Sequence, residues 1–104
     1  MPALIALFNL QEGIDSAEYE TWARSIDLPT VEQLPSVDSM EVYRIDSVMG
    51  SEDPSPYRYC EVIAVNDMEQ FGVDLATDEV QAGAAKFQGE YAADLSFLVA
   101  EKFA

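Results

Sequence analysis

A β-branched and aromatic run lies in the middle of the chain: Tyr57-Arg-Tyr-Cys-Glu-Val-Ile-Ala-Val65. Residues of this kind fit the pleated surface of a sheet, so the run predicts a strand. The loop Gly50–Pro56 precedes it, and before that loop hydrophobic and polar residues alternate from Ser36 to Met49. Because alternation is typical of a half-buried strand, the two segments together predict a β-hairpin.

A helix is predicted before this hairpin. Asp15 followed by Glu18 is typical of a helix N-terminus, since each side chain can satisfy a free backbone N–H group of the first turn. Apolar residues then recur at helical spacing as far as Ile26. The pattern predicts a helix over 16–26, which Pro29 prevents from continuing because proline has no backbone N–H.

A second helical region is predicted after the hairpin. Asn66 with Glu69 repeats the capping pattern. Thr77 and Asp78 interrupt the helix or restart it, and Gly89 is predicted to end it.

Apolar runs near the two ends of the chain complete the pattern. Ala3–Asn9 and Leu95–Ala100 are short and bounded by polar residues, which favours strands over helices. The element order is therefore β-α-β-β-α-β. We predict an α+β protein with a ferredoxin-like fold, in which an antiparallel four-stranded sheet carries two helices on one face. The 104 residues show no internal repeat, so residues 1–104 are predicted to form a single domain.

The two terminal strands are apolar on both faces, although the predicted helices cover only one face of the sheet. We expect an identical sheet from a second copy of the chain to cover the other face. The expected assembly is a homodimer, a dimeric α+β barrel with a cavity for a small molecule. In the alternative, the chain is a monomer whose long loops or C-terminal tail cover the additional apolar residues.

Charge and composition exclude several partners. The chain has 20 acidic and 5 basic residues and no histidine, for a net charge of −15. Nucleic acids and anionic membrane surfaces are therefore not expected to bind. The apolar N-terminal run is too short to span a membrane.

The single Cys60 indicates a reducing compartment, and the cytoplasm is the predicted location. No glycine-rich nucleotide loop or calcium loop occurs, so we predict no cofactor and no metal.

Alternation along the hairpin assigns residues to the two faces of the sheet. Cys60, Val62 and Ala64 form an apolar set that we predict to pack against the helices. Tyr59 and Glu61 would then lie on the opposite face.

On that opposite face we predict a pocket for a flat, mostly apolar ligand. Glu61 and Tyr43 are the candidate catalytic residues, because a desolvated carboxyl group and a phenol can exchange protons with a ligand near neutral pH. The candidate binding residues are Asn9, Trp22, Asp27, Tyr59 and Phe97.

The same residues also have ordinary structural interpretations. Glu61 can be solvated at a strand edge or paired with Arg44 or Arg58. Trp22 can be a core residue, and Asp27 can cap a loop.

Several stretches of the sequence resemble the REDY-like protein HapK family, which is associated with the biosynthesis of prodigiosin-type pigments. The stretches are Tyr19-Glu-Thr-Trp22-Ala-Arg24, Asp27-Leu-Pro29-Thr30-Val31, Leu34-Pro35-Ser36-Val37, Val42-Tyr43-Arg44 and Glu61-Val62-Ile63-Ala-Val65-Asn66-Asp67-Met68. The resemblance implies a dimeric α+β barrel that acts in the biosynthesis of a secondary metabolite derived from pyrrole or indole.

Three functions fit this combination of features. The first is an accessory or cofactor-independent enzyme that acts on a small aromatic intermediate. The second is a non-catalytic protein that binds or carries an unstable intermediate of the pathway. The third is a purely structural role in an enzyme complex.

Overall fold

The computed structural model describes all of residues 1–104 and contains one sheet with helices on one of its faces. The strands are β1 (Pro2–Leu10), β2 (Val37–Arg44), β3 (Tyr59–Val65) and β4 (Ala92–Glu101). The α-helices are α1 (Ser16–Trp22), α2 (Leu28–Glu32), α3 (Met68–Leu75) and α4 (Asp78–Lys86). Two π-helical turns join these elements, the first over Ala23–Asp27 and the second over Phe87–Tyr91.

The strands form one antiparallel sheet in the order β2-β3-β1-β4. Both neighbours of β1, namely β3 and β4, run antiparallel to it, and β2 is antiparallel to β3. This arrangement confirms the predicted α+β, ferredoxin-like fold. None of the helices is long and apolar enough to cross a membrane.

The first helical region is longer than the sequence pattern predicts. Asp15 caps α1 by accepting a hydrogen bond from the backbone N–H of Ala17, as its position indicates. The prediction that Pro29 ends the helix is wrong, because the chain remains helical from Ser16 to Glu32. The first π turn shifts the hydrogen-bond register, so that Pro29 lies in the first turn of α2, where a backbone N–H has no helical partner.

The second helical region has the predicted break at Thr77, but its N-terminal cap is not the predicted Asn66. The cap is Asp67, whose side chain accepts from the N–H groups of Glu69 and Gln70. Asn66, predicted as the cap, instead donates to the backbone of Pro35 and to Asp38. Gly89 does not end the helix either, since the second π turn runs through it to β4.

Two strands differ in length from their predicted ranges. The strand predicted over 36–49 is β2, which ends at Arg44, where its partner β3 begins at Tyr59. The strand predicted over 95–100 is β4, which begins at Ala92 because it pairs along nearly the whole of β1.

The prediction for the faces of β3 is wrong and must be reversed. Tyr59, Glu61, Ile63 and Val65 are buried against the helices, whereas the alternate residues are only partly buried on the outer face. The apolar set Cys60, Val62 and Ala64 therefore lies on the outer face. The reason is packing: the inner set includes the larger side chains Tyr59, Glu61 and Ile63, which fill the space beneath the helices better than Cys, Val and Ala do.

An aromatic cluster joins α1 and the second π turn to this inner face. Phe8 of β1 is fully buried, and its ring centroid lies 5.7, 5.4 and 4.9 Å from those of Tyr19, Tyr59 and Phe87. Buried aromatic pairs in such edge-to-face and stacked arrangements contribute packing energy beyond their buried area. The cluster holds α1 against the sheet.

The outer face of the sheet is apolar, and no element of the chain covers it. This agrees with the prediction from the two terminal strands, which are apolar on both faces. Ile5, Leu7 and Val62 are partly exposed there, and Tyr43 and Leu98 are about half exposed. Neither the long loop nor the C-terminal tail packs on this face, since residues 46–54 and 101–104 are all exposed.

Candidate functional site

A cavity of about 370 Å³ lies between the inner face of the sheet and the helices. This volume falls in the range of small-molecule sites, which are usually concave and mostly apolar. Nine of its 15 lining residues are hydrophobic, among them Ile63, Phe87 and Phe97. The cavity thus lies within one chain, on the helix side of the sheet, rather than on the outer face where the sequence pattern predicts the pocket.

Glu61 supplies a carboxyl group to the cavity wall from the middle of β3. Only 6% of the residue is exposed, and its Oε2 atom is buried without a hydrogen-bond partner. Burial, with a smaller contribution from the nearby Asp27 carboxyl, raises the pKa of Glu61 to about 8. Glu61 is therefore mostly protonated at neutral pH.

Asp27 supplies a second carboxyl group from the end of the first π turn. The residue precedes α2 but makes no side-chain capping hydrogen bond, so its role is not that of a helix cap. Burial raises the pKa of Asp27 to about 6, which leaves this group mostly ionised at neutral pH. The π turn determines this placement, because one additional residue in the turn changes which side chains face the sheet.

The two carboxyl groups therefore differ in protonation while lining the same cavity. A neighbouring acid and base, with pKa values displaced to either side of neutrality, are what proton transfer requires. No group of three or more histidine, cysteine, aspartate or glutamate side chains is arranged to hold a metal ion.

Tyr19 is a third titratable residue near this pair. Its hydroxyl group is buried and has no hydrogen-bond partner. Burial, and then the charges of Glu61 and Asp27, raise the pKa of Tyr19, so that the phenol stays neutral. The sequence pattern assigns Tyr19 only to the apolar face of α1, and nothing in that pattern distinguishes an unpartnered hydroxyl from a satisfied one.

The structure brings three of the predicted site residues together. Glu61, Asp27 and Phe97 all line the cavity, and Phe97 does so from β4 on the far side of β1. The interpretation of Glu61 as solvated or ion-paired does not hold, because Arg44 binds Glu20 and Arg58 donates to the carbonyl of Ile45.

Two other predicted site residues lie away from the cavity. Tyr43 lies opposite Cys60 in the β2–β3 pairing, so the sheet separates it from Glu61 and the two cannot act as a pair within one chain. Its hydroxyl donates to Glu41 at 3.0 Å on the exposed side. Asn9 holds the loop before β3, since its side chain donates to Pro56 and accepts from the backbone N–H of Arg58.

Tyr59 and Trp22 are parts of the core. Tyr59 stacks on Phe8, and its hydroxyl donates to Glu20 at 2.8 Å, which with Arg44 lowers the pKa of Glu20. Trp22 is buried and stacks on Phe87 at 6.5 Å between ring centroids. Neither residue is among those lining the main cavity. The interpretation of Trp22 as a core residue therefore fits the structure.

The polar residues that α4 and the second π turn contribute to the cavity were not predicted. Gln81 and Gln88 line it together with Ala84. Their spacing of three, four and seven residues places them on one helical face, which is the sequence signal that could have found them.

The fold and the site together define a class: a ferredoxin-like α+β domain with a mostly apolar cavity between helices and sheet, lined by two carboxyl groups. The sequence model of the family described as REDY-like protein HapK matches residues 2–103, and the chain belongs to this family. No significant match was found among curated protein sequences.

Solved structures share this fold. HapK from Hahella chejuensis superimposes with a TM-score of 0.80 at 26% identity, over 100% of this chain and 94% of that one. A dimeric ferredoxin-like protein from Thermobifida fusca gives 0.72 at 16% identity, over 97% and 90%. SnoaB, a cofactor-independent oxygenase from Streptomyces nogalater, gives 0.75 at 14% identity, over 99% and 93%.

Proposed function

We propose that the protein is a cofactor-independent or accessory enzyme of secondary-metabolite biosynthesis, which binds a small aromatic intermediate in the cavity between helices and sheet. Membership of the HapK family supports a biosynthetic role. By the resemblance, the intermediate is of the pyrrole or indole type found in prodigiosin-type pathways. The cytoplasm is the proposed location, because the lone Cys60 is a free thiol.

One observation carries this proposal: Glu61, a buried carboxyl group with an unpartnered oxygen, lies in the wall of an apolar cavity. A buried acceptor without a partner costs about 1–3 kcal/mol. A buried titratable group with a strongly displaced pKa, kept in a cavity at a cost to folding, is a candidate for function. A ligand that donates a hydrogen bond would satisfy it.

The proposed chemistry is proton transfer between the cavity and its ligand. Asp27, as the ionised carboxylate, accepts a proton from one atom of the ligand, and Glu61, as the protonated acid, donates a proton to another. The ligand is isomerised with no net gain or loss of electrons. Asp27 takes the place of Tyr43 as the partner of Glu61, with Glu61 as the proton donor and Asp27 as the acceptor.

The second candidate is a non-catalytic binding or carrier protein. The same cavity favours it equally, because a mostly apolar site also limits the contact of a reactive intermediate with water. Incubating the protein with pyrrole and indole intermediates, with mass spectrometry of the products, separates the two. Turnover that Glu61→Gln and Asp27→Asn abolish supports the enzyme, whereas tight binding without turnover supports the carrier.

Filling the cavity should abolish ligand binding in either case. Gly83 lies in α4 on the cavity wall, and a Cβ added there meets no other atom within 4 Å. Gly83→Leu should therefore fold normally and weaken the binding of an aromatic probe at least about tenfold, a loss of about 1.4 kcal/mol. Fluorescence titration measures this effect.

Gly72→Leu is the matched control. Gly72 is also helical and also open to an added Cβ, but it does not line the cavity. Equal binding by both leucine variants and the unchanged protein would contradict the placement of the ligand in this cavity.

We also propose that the protein forms a homodimer through the outer face of the sheet. The uncovered apolar residues of β1, β3 and β4 support this proposal, because a contiguous apolar face of this kind is rare on a monomer. The Thermobifida fusca protein, which shares the fold, is dimeric. The residues that line the cavity belong to the helices and the inner face, on the other side of the sheet from this interface.

Placing a charge on this face should dissociate the dimer. Leu98, which is 47% exposed in β4, becomes buried in the proposed interface. Leu98→Glu should then sediment as a single chain of 11.5 kDa at micromolar concentration, whereas the unchanged protein sediments at twice that mass. Met49→Glu, at a fully exposed loop position, is the control and should remain dimeric. A monomeric unchanged protein would refute the interface.

A further inference from the structure

The cavity wall contains negative charge but no positive charge. Its two ionisable lining residues are Glu61 and Asp27, and none of the chain's lysine or arginine residues is among those lining it. Arg44 of β2 and Arg24 of the first π turn both pair with Glu20, and Lys86 of α4 pairs with Glu90. A negatively charged ligand group would therefore meet only like charge and uncharged surfaces.

The groups that face Glu61 from the neighbouring elements do not compensate its charge. From α1 comes the neutral Tyr19 hydroxyl, and from the first π turn comes the Asp27 carboxyl. Within β3, Tyr59 directs its hydroxyl to Glu20 instead. The remaining polar lining residues, such as Gln81 and Gln88, are uncharged. The unpartnered Oε2 of Glu61 thus lacks both a hydrogen-bond donor and a counter-charge within the chain.

A ligand can supply both. We propose that the cavity selects a planar aromatic molecule bearing a nitrogen cation with N–H donors, such as an iminium or amidinium group, held by the carboxyl groups of Glu61 and Asp27 against an apolar wall that includes Phe97. This inference rests on the proposed function and specifies its substrate class. Charge-assisted hydrogen bonds of this kind are roughly twice as strong as neutral ones, and they give orientation as well as affinity.

Proton linkage gives this proposal a measurable signature. The cation favours ionised carboxylates. A ligand that arrives as the neutral base takes up the proton of Glu61 and becomes the cation in the cavity, which is the proton transfer proposed above. A ligand that is already a cation displaces that proton to solvent. Affinity for a cation should therefore rise as pH rises through the pKa values of Asp27 and Glu61, about 6 and about 8. A neutral isostere that binds the protonated carboxyl should show no such rise.

Three naphthalene derivatives of nearly equal shape test the proposal: 2-naphthamidine, 2-naphthamide and 2-naphthoate. The first stays a cation, the second is neutral and the third is an anion across the pH range of the experiment. Isothermal titration calorimetry should rank them in that order near pH 8, with the amidine at least about tenfold tighter than the amide, which corresponds to about 1.4 kcal/mol. The amidine should release protons on binding, and its advantage should shrink below pH 6.

Substitutions locate the effect. Glu61→Gln and Asp27→Asn should each reduce the preference for the amidine and the proton release, while binding of the neutral amide changes little. An unchanged preference in both variants, or a naphthoate that binds as tightly as the amidine, overturns the proposal. Binding of all three probes with equal affinity overturns the cation preference alone, because the cavity then still binds aromatic ligands. Failure of all three to bind overturns the proposed function together with this inference.

Discussion

Glu61→Gln should raise the free energy of unfolding, measured relative to the unchanged protein, by about 4 kcal/mol more near pH 9 than near pH 5. Burial raises the pKa of Glu61 from 4.5 to about 8 in the folded protein, so the folded state binds a proton that the unfolded state has already lost. A carboxyl group with a raised pKa destabilises the folded state as pH rises above the unfolded-state pKa, and the loss is complete once pH exceeds the folded-state pKa. Each pKa unit corresponds to about 1.4 kcal/mol, which gives about 4 kcal/mol between pH 5 and pH 8.

Urea denaturation at a series of pH values measures this difference. The free energy of unfolding of the unchanged protein should fall from about pH 5 to pH 8 and then level off, while that of Glu61→Gln falls much less. Asp27 contributes a smaller decline of the same sign in both proteins, since its pKa is raised to about 6. Glu12→Gln, at an exposed position before α1, is the control and should follow the unchanged protein. Parallel curves for the Glu61 variant and the unchanged protein would show that Glu61 is not buried.

Phe8→Ala should reduce the free energy of unfolding by about 3–5 kcal/mol, the range found for deleting a buried phenylalanine ring. Phe8 is 0% exposed and packs against three other aromatic rings, so its removal leaves a cavity that stiff neighbours cannot fill. A domain of this size is stable by only about 5–15 kcal/mol, which makes this loss a large share of the total.

Two further variants keep this prediction testable if Phe8→Ala does not fold. Phe8→Leu retains part of the side-chain volume and should lose less stability. Phe103→Ala removes a ring that is 97% exposed and should change the free energy of unfolding by less than about 0.5 kcal/mol. Equal losses at positions 8 and 103 would contradict the aromatic core. Because Phe8 does not line the cavity, Phe8→Leu should also keep its affinity for aromatic probes.

The fold was predictable because its signals are local. Alternation in the two hairpin strands, capping near Asp15 and the apolar terminal runs each depend on a few adjacent residues. Element ends were less predictable. Pro29 continues a helical region that it is expected to end, because the preceding π turn changes the hydrogen-bond register, and no local pattern announces that turn.

The candidate site was predictable in part. Glu61, Asp27 and Phe97 are chemically distinctive in an apolar context, and the structure places all three around one cavity. Alternation along the hairpin predicts that Tyr43 shares a face with Glu61, whereas the observed register pairs Tyr43 with Cys60 and places it on the other face. A one-residue change in register reverses the face of every side chain, so this error follows from a single assumption.

The amino-acid sequence alone determined the element order, the ferredoxin-like topology and the presence of an apolar face that the helices leave uncovered. Its period-two pattern also determined that Tyr59, Glu61 and Ile63 share one face of β3. Only the tertiary structure decided that this face is the inner one. The physical reason is that both faces of β3 are largely apolar, so burial is available to either. The choice depends on which set of side chains fills the space beneath the helices, and that space is created by residues from α1, the π turns and β1 that are distant in sequence.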